Sequence, residues 1–301
     1  MKKFRRIMVG LDGKSSDTFI LQHISKIKES FDLQKIYFVH ITESLALPDD
    51  SELRYAQHLA PLDESIKKVL KSEIDSILKP EEGLSYEVIV KEGNPAEQLV
   101  KLIKVKQIDL LVLGRKPKPG ITYFSRLLAN QAPCSVIFVP KTLSAEYRKI
   151  LVPLDFNSVS KQALADAFAY KDDHSKTEII PVHFSGVPTG YTKTGKTYSE
   201  YTAQLRKKVK KRFRQLMPSS QVKDVTLILD KKENVAKKIF NYSLRKGADM
   251  IMIGSKGRTK IASFLMNSVA AKLVELTYHV PILIDKRKGQ SLNTVNALMQ
   301  L

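Results

Sequence analysis

The stretch RRIMVGLD (5–12) returns 143 residues further on as RKILVPLD (148–155), and this recurrence decides how the whole chain is read. KIYFVHI (35–41) returns at the same offset as EIIPVHF (178–184), which carries His40 onto His183. EGNPAEQLVKLIKVKQIDLLVLG (92–114) returns as KENVAKKIFNYSLRKGADMIMIG (232–254) at an offset of 140, pairing Asn94 with Asn234, Asp109 with Asp249 and Gly114 with Gly254. Three blocks repeated in the same order mean one structural unit used twice. The last apolar run, APCSVIFVPK (132–141), matches YHVPILIDK (278–286) at an offset near 146, so the second copy has six more residues between Gly254 and its final strand.

Within each copy, strand and helix patterns alternate. IMVGL, IYFVHI, YEVIV, LLVLG and SVIFV are short, rich in β-branched residues and apolar at nearly every position, as expected of strands buried on both faces of a parallel sheet. Amphipathic stretches separate them: 16–29, 52–78 and 95–106 in the first copy, then 158–170, 196–217, 234–246 and about 262–279 in the second. In the helix expected near 199–216, Leu205, Val209, Phe213 and Leu216 form a core-facing stripe. The pattern predicts an α/β protein of two tandem doubly wound parallel-sheet domains, 1–143 and 147–286, followed by a tail of 287–301. The polar connection KTLSAEYR (141–148) marks the boundary.

A length of 301 residues suits two domains, and 43% hydrophobic with 27% charged residues suits two packed cores. The single cysteine, Cys134, allows neither an internal disulfide nor a multi-cysteine zinc cage, and its place before an apolar strand reads as a small buried hydrophobe. A reducing, cytoplasmic setting is the expectation. The start MKKFRRIMVGLDG has too short an apolar run for a secretion signal, and no stretch approaches the length of a membrane span. The net charge of +19 is concentrated in the second copy: residues 145–301 carry 28 Lys/Arg against 13 Asp/Glu, whereas residues 1–144 carry 22 against 18.

In the second copy, GSKGRTKIASFLMNS (254–268) follows a strand and precedes a helix. Glycines there permit positive φ and close backbone approach, while helix N-terminal N–H groups and the Ser268 hydroxyl can donate to phosphate oxygens. Neither the GxxxxGK[ST] nor the GxGxxG phosphate loop occurs in the chain.

These features resemble the universal stress protein family, whose domains have a first strand ending VxxD, a second ending LHV, and a GxxGx9G[ST] loop before a last strand often preceded by CPV. The resemblance covers both halves. It implies an adenine-nucleotide site, for ATP or a related nucleotide with or without magnesium, at Asp155, Phe184, Ile253, Gly254, Lys256, Gly257, Asn267, Ser268 and Val269. Asn267 stands where the family has glycine, and asparagine is among the non-glycine residues most tolerant of left-handed backbone. The first copy departs further: Arg115, Lys116 and Pro117 follow Gly114, the loop is six residues shorter, and Thr122 falls opposite Ser268. Asp12 and Ile41 keep the adenosine-side positions, yet the first copy is expected to be a structural partner without nucleotide. Relatives of one domain pair through their last strands, which implies 134–139 beside 280–285 as an internal pseudo-dimer, with a homodimer of chains as an alternative.

The residues admit plainer readings as well. Asp12 and Asp155 could cap the helices that follow them. His40 and His183 recur at strand ends with no third ligand nearby, which favours structural histidines over a metal site. RKKVKKRFRQL (206–216) has seven basic residues in eleven; a solvated outer face is its ordinary meaning, and phosphate-backbone contact is the alternative. No acidic residue lies within 254–268 to position a hydrolytic base, so a regulatory binder is favoured over an enzyme. A non-binding scaffold and a basic polyanion binder, for nucleic acid or a membrane surface, are the other readings.

Overall fold

The computed structural model describes residues 4–14, 16–28, 31–44, 62–78, 83–115, 123–141, 146–216, 224–229, 234–255, 269–277 and 279–286. The chain divides into two compact units, one formed by 3–143 and the other by 144–286.

The first unit runs β1 (Arg6–Leu11), α1 (Ser16–Ile27), β2 (Lys35–Thr42), α2 (Leu62–Ile77), β3 (Ser85–Glu92), α3 (Pro95–Val105), β4 (Leu110–Gly114), α4 (Tyr123–Gln131) and β5 (Ser135–Val139). Its strands lie in the order β3-β2-β1-β4-β5, each pair parallel. The second unit runs β6 (Lys149–Leu154), α5 (Ser158–Asp173), β7 (Glu178–Ser185), a 3-10 turn (Thr189–Thr194), α6 (Tyr198–Leu216), β8 (Thr226–Leu229), α7 (Val235–Lys246), β9 (Met250–Gly254), α8 (Val269–Leu276) and β10 (Ile282–Asp285). Its order is β8-β7-β6-β9-β10, the same winding, again parallel. The chain is thus a pair of tandem doubly wound α/β units. The early part of the helix expected over 52–78 and that expected over 262–279 lie partly outside the described residues.

The apolar runs fill the centres of the sheets. Ile7, Met8, Val9, Leu110, Leu111 and Val112 in one unit, and Ile150, Leu151, Val152 and Ile251 in the other, are fully enclosed. Cys134 is buried among them, as its sequence context predicts.

The paired polar residues found by the repeat hold equivalent joints. Asp109 Oδ2 accepts the main-chain N–H groups of Arg5 (3.0 Å) and Arg6 (2.9 Å), and Asp249 Oδ2 accepts those of Arg148 (3.0 Å) and Lys149 (2.9 Å). Each carboxylate ties the start of a unit's fourth strand to the start of its first. Asn94 caps α3 by accepting from the N–H groups of Ala96 and Glu97, and Asn234 caps α7 by accepting from that of Lys237.

Helix α6 is anchored lightly. Of its 19 residues only Val209 and Phe213 are buried, with Leu205 and Leu216 half-buried at the margins of the stripe. Two such side chains contribute about 3–6 kcal/mol of apolar burial. Among the described residues, no helix is long and apolar enough to cross a membrane.

Candidate functional site

In an open parallel sheet the crevice for a ligand lies beyond the carboxyl ends of two neighbouring strands whose connections lead to opposite sides. In the second unit these strands are β6 and β9, since β6 pairs with β7 on one side and with β9 on the other. Asp155 leaves β6 at this end, Phe184 lies near the end of β7, and Ile253 and Gly254 close β9. Three sequence segments about 30 to 100 residues apart therefore meet at one edge. Val269 opens α8 and is partly exposed. Lys256, Gly257, Asn267 and Ser268 lie outside the described residues.

The Asp155 carboxylate is exposed and braced from its own turn. Its Oδ1 accepts the Asn157 N–H (3.0 Å) and the Ser160 hydroxyl (2.6 Å), and its Oδ2 accepts the Asn157 side-chain amide (2.7 Å). The cap of α5 is Asn157, whose side-chain oxygen accepts the N–H groups of Val159 (2.9 Å) and Ser160 (2.8 Å). The expectation that Asp155 itself caps the helix is thereby corrected. Asp155 orients the cap, because a residue two positions before the cap reaches the capping side chain better than the first turn's own N–H groups. Asn157 and Ser160 were not singled out from sequence, although Asx followed by a helical apolar period is the usual sign of a cap.

Of the two reasons the sequence offers for a glycine at 254, positive φ and close backbone approach, the structure shows the second. Gly254 is absent from the residues with positive φ. A Cβ at this position would meet the Val159 carbonyl carbon and oxygen at 2.7 Å and the Ser160 nitrogen at 2.9 Å. Gly254 lets the first turn of α5 lie directly on the end of β9, which brings the Asp155 turn onto the crevice.

Phe156, next to Asp155, has φ +66°, a region that bulky residues rarely adopt. Its equivalent in the first unit, Gly13, has φ +71° without that steric penalty. The Phe156 ring is buried, 4.9 Å from the His183 ring and 4.9 Å below the Arg212 guanidinium of α6. His183 Nδ1 donates to the Leu154 carbonyl (2.6 Å), as His40 does to that of Leu11 (3.1 Å). Both histidines therefore tie the ends of adjacent strands together. Among the described residues no group of three His, Cys, Asp or Glu could hold a metal ion. The Phe184 ring packs edge-on to Tyr242 of α7, with centroids 6.2 Å apart, so Phe184 offers the crevice its backbone more than its ring.

The first unit replaces Ser160 by a carboxylate. Asp17 is fully buried and accepts the N–H groups of Asp12 (3.0 Å) and Gly13 (2.8 Å). Burial pushes it up to about 6, while those two N–H groups pull in the opposite direction. Asp12 accepts the Lys14 N–H (3.1 Å) and the Ser16 hydroxyl (2.8 Å). Two carboxylates thus sit where the second unit has one and a hydroxyl.

The sequence profile of the Universal stress protein family matches residues 3–140 and again 146–284. The chain belongs to the universal stress protein family. It carries the family's unit twice. Universal stress protein MJ0531 of Methanocaldococcus jannaschii is 26% identical over 148 residues, covering 46% of this chain and 83% of the relative. Universal stress protein MJ0577 of the same organism is 25% identical over 167 residues, covering 49% and 99%. Two solved structures share the tandem fold across nearly the whole chain. A universal stress protein from Archaeoglobus fulgidus superposes with a TM-score of 0.64 at 16% identity, covering 94% of this chain and 98% of its own. The functionally unknown protein PA1789 of Pseudomonas aeruginosa superposes with 0.66 at 13% identity, covering 99% and 98%.

Proposed function

We propose that this universal stress protein is a regulatory binder of an adenine nucleotide, ATP or a close relative, at the switch point of its second unit, with the first unit as a structural partner. The observation that carries the reading is the convergence at one sheet edge of Asp155 from β6, Phe184 from β7 and Gly254 from β9. An exposed, pre-oriented carboxylate suits the hydroxyl donors of a ribose. The loop 254–268, with two glycines and the Asn267–Ser268 pair, suits phosphates. The first unit has a loop six residues shorter, with Pro117, which has no N–H to donate, in place of the second glycine, so one nucleotide per chain follows. Binding without turnover is the expected activity, since 254–268 contains no acidic residue.

Calorimetric titration of the full chain with ATP, together with mass spectrometry of small molecules released on denaturation, tests this directly. The expected result is one site. Asp155→Ala should weaken it at least tenfold, Gly257→Val should abolish it in a folded protein, and Asp12→Ala should leave it unchanged. Two equivalent sites, or full affinity in folded Gly257→Val, would overturn the assignment.

A further inference from the structure

The helices α2 and α6 occupy the same place in the two units, and the pair acts as an internal control. Each is anchored by two buried apolar residues four apart, Leu70 and Ile74 in α2, Val209 and Phe213 in α6. Aligned on these anchors, Ser72, Glu73 and Asp75 fall opposite Lys211, Arg212 and Arg214. Helix α2 has three lysines against four carboxylates, whereas α6 has seven cations against one carboxylate. The fold therefore does not require a basic helix at this position, and the second unit alone has one.

Some of these cations already have partners within the unit. Lys210 pairs with Asp224, Arg206 reaches the Leu227 carbonyl at 3.4 Å, and Arg212 lies over Phe156. Among the described residues, Lys207, Lys211 and Arg214 have no carboxylate partner. With Lys210 they occupy positions i, i+3, i+4 and i+7, one stripe on the face opposite Val209 and Phe213. With Gln215 these four residues line an open hollow of about 540 Å³. The stripe is about 10 Å long at 1.5 Å per residue. One strand of a duplex presents a phosphate about every 3.4 Å along its axis, so the stripe matches about three phosphates.

We propose that this face of α6 binds the phosphate backbone of nucleic acid without regard to sequence, independently of the nucleotide site. A membrane surface fits less well. The apolar anchors of α6 are turned into its own unit, and the hollow is lined by cationic and amide side chains with no apolar residue to enter a bilayer.

The test uses the full chain and a mixed-sequence 20-base-pair DNA duplex, with binding followed by fluorescence anisotropy between about 50 and 200 mM salt. Two unrelated duplexes should bind equally, with affinity falling steeply as salt rises. Charge reversal at Lys207→Glu, Lys211→Glu and Arg214→Glu should flatten the log–log salt slope by about 2.7, at about 0.9 per contact. The Gln variants at the same three positions should flatten it equally, which keeps the test valid if reversal disturbs folding. Lys67→Glu with Lys71→Glu on α2 should leave the slope unchanged. The proposal fails if the unmodified chain does not bind duplex at 50 mM salt, or if the triple variants keep the slope. It also fails if the α2 variants flatten the slope as much, or if phosphatidylserine vesicles or polyglutamate compete as well as duplex does.

Discussion

Gly254 and Val159 meet backbone to backbone: a Cβ on Gly254 would lie 2.7 Å from the Val159 carbonyl carbon and oxygen. This contact sets how closely α5 approaches β9, and so where Asp155 stands at the crevice. The equivalent Gly114 faces only a side chain, with a Cβ there meeting Ile20 Cδ1 at 2.5 Å and Cγ1 at 3.0 Å.

The two glycines should therefore tolerate alanine unequally. At Gly254 main chain must move, an overpacking cost of about 1–3 kcal/mol, and affinity at the proposed nucleotide site should fall with it. At Gly114 the Ile20 side chain can re-orient, and the cost should be the smaller of the two. Urea unfolding midpoints of the two variants, measured side by side, check the order. Equal losses would mean that the α5 contact does not govern the second unit.

Asp17 should make stability depend on pH in a direction unusual for a carboxylate. Its folded value is raised by burial from 3.8 to about 6, so the folded state holds its proton more tightly than the unfolded chain. Its contribution is complete below about pH 4 and is lost as pH rises through 6, by at most roughly 3 kcal/mol. Buried His23 acts oppositely: desolvation lowers it from 6.5 to about 3, and its contribution is lost as pH falls through that range. Comparing Asp17→Asn with the unmodified chain cancels the histidine. The advantage of the unmodified chain in melting temperature should shrink between pH 4 and 7. A constant difference would contradict the assignment.

The Asp249 joint should be worth more than its partial exposure suggests. Asp249→Ala removes the acceptor for the N–H groups of both Arg148 and Lys149, at a cost of about 1–3 kcal/mol. Asp249→Asn keeps one acceptor oxygen and should lose less. Chemical unfolding of the two variants distinguishes them, and equal losses would mean that the oxygen acceptor is not what matters.

A fragment ending at Leu143 should self-associate. Within its own unit β5 is an outermost strand, laddered to β4 on one side, and its residues SVIFV offer an apolar edge on the other. Sedimentation of the fragment should show dimers or larger species. A monomer at high concentration would argue against an edge that needs a partner strand.

The alternating fold was legible in the sequence because strands enclosed on both faces must be apolar at every position. IMVGL, LLVLG and MIMIG can do little else in a chain of this length. The duplication made the reading firm, since Asp109 with Asp249 and Asn94 with Asn234 turned out to do the same work twice. The position of Asp155 at a strand end was legible for the same reason. Its neighbours in space were not. Ser160, Val159 and Gly254 interact across nearly 100 residues of chain, and periodicity carries no information about which helix turn rests on which strand end.

Local pattern by itself determined the order of elements, the repeat and the edge of the sheet where chemistry could gather. The Asn157 cap of α5 spans only two and three residues and was within reach of local pattern, whereas only the tertiary structure decided that Gly254 makes room for backbone rather than for a positive φ. It also decided that Arg212 lies over the strained Phe156 while Lys207, Lys211 and Arg214 face outward. The physical reason is range. Burial and propensity act on each residue with its near neighbours, whereas hydrogen-bond partners, close backbone approach and ring–cation contacts depend on distances that exist only after the elements have packed.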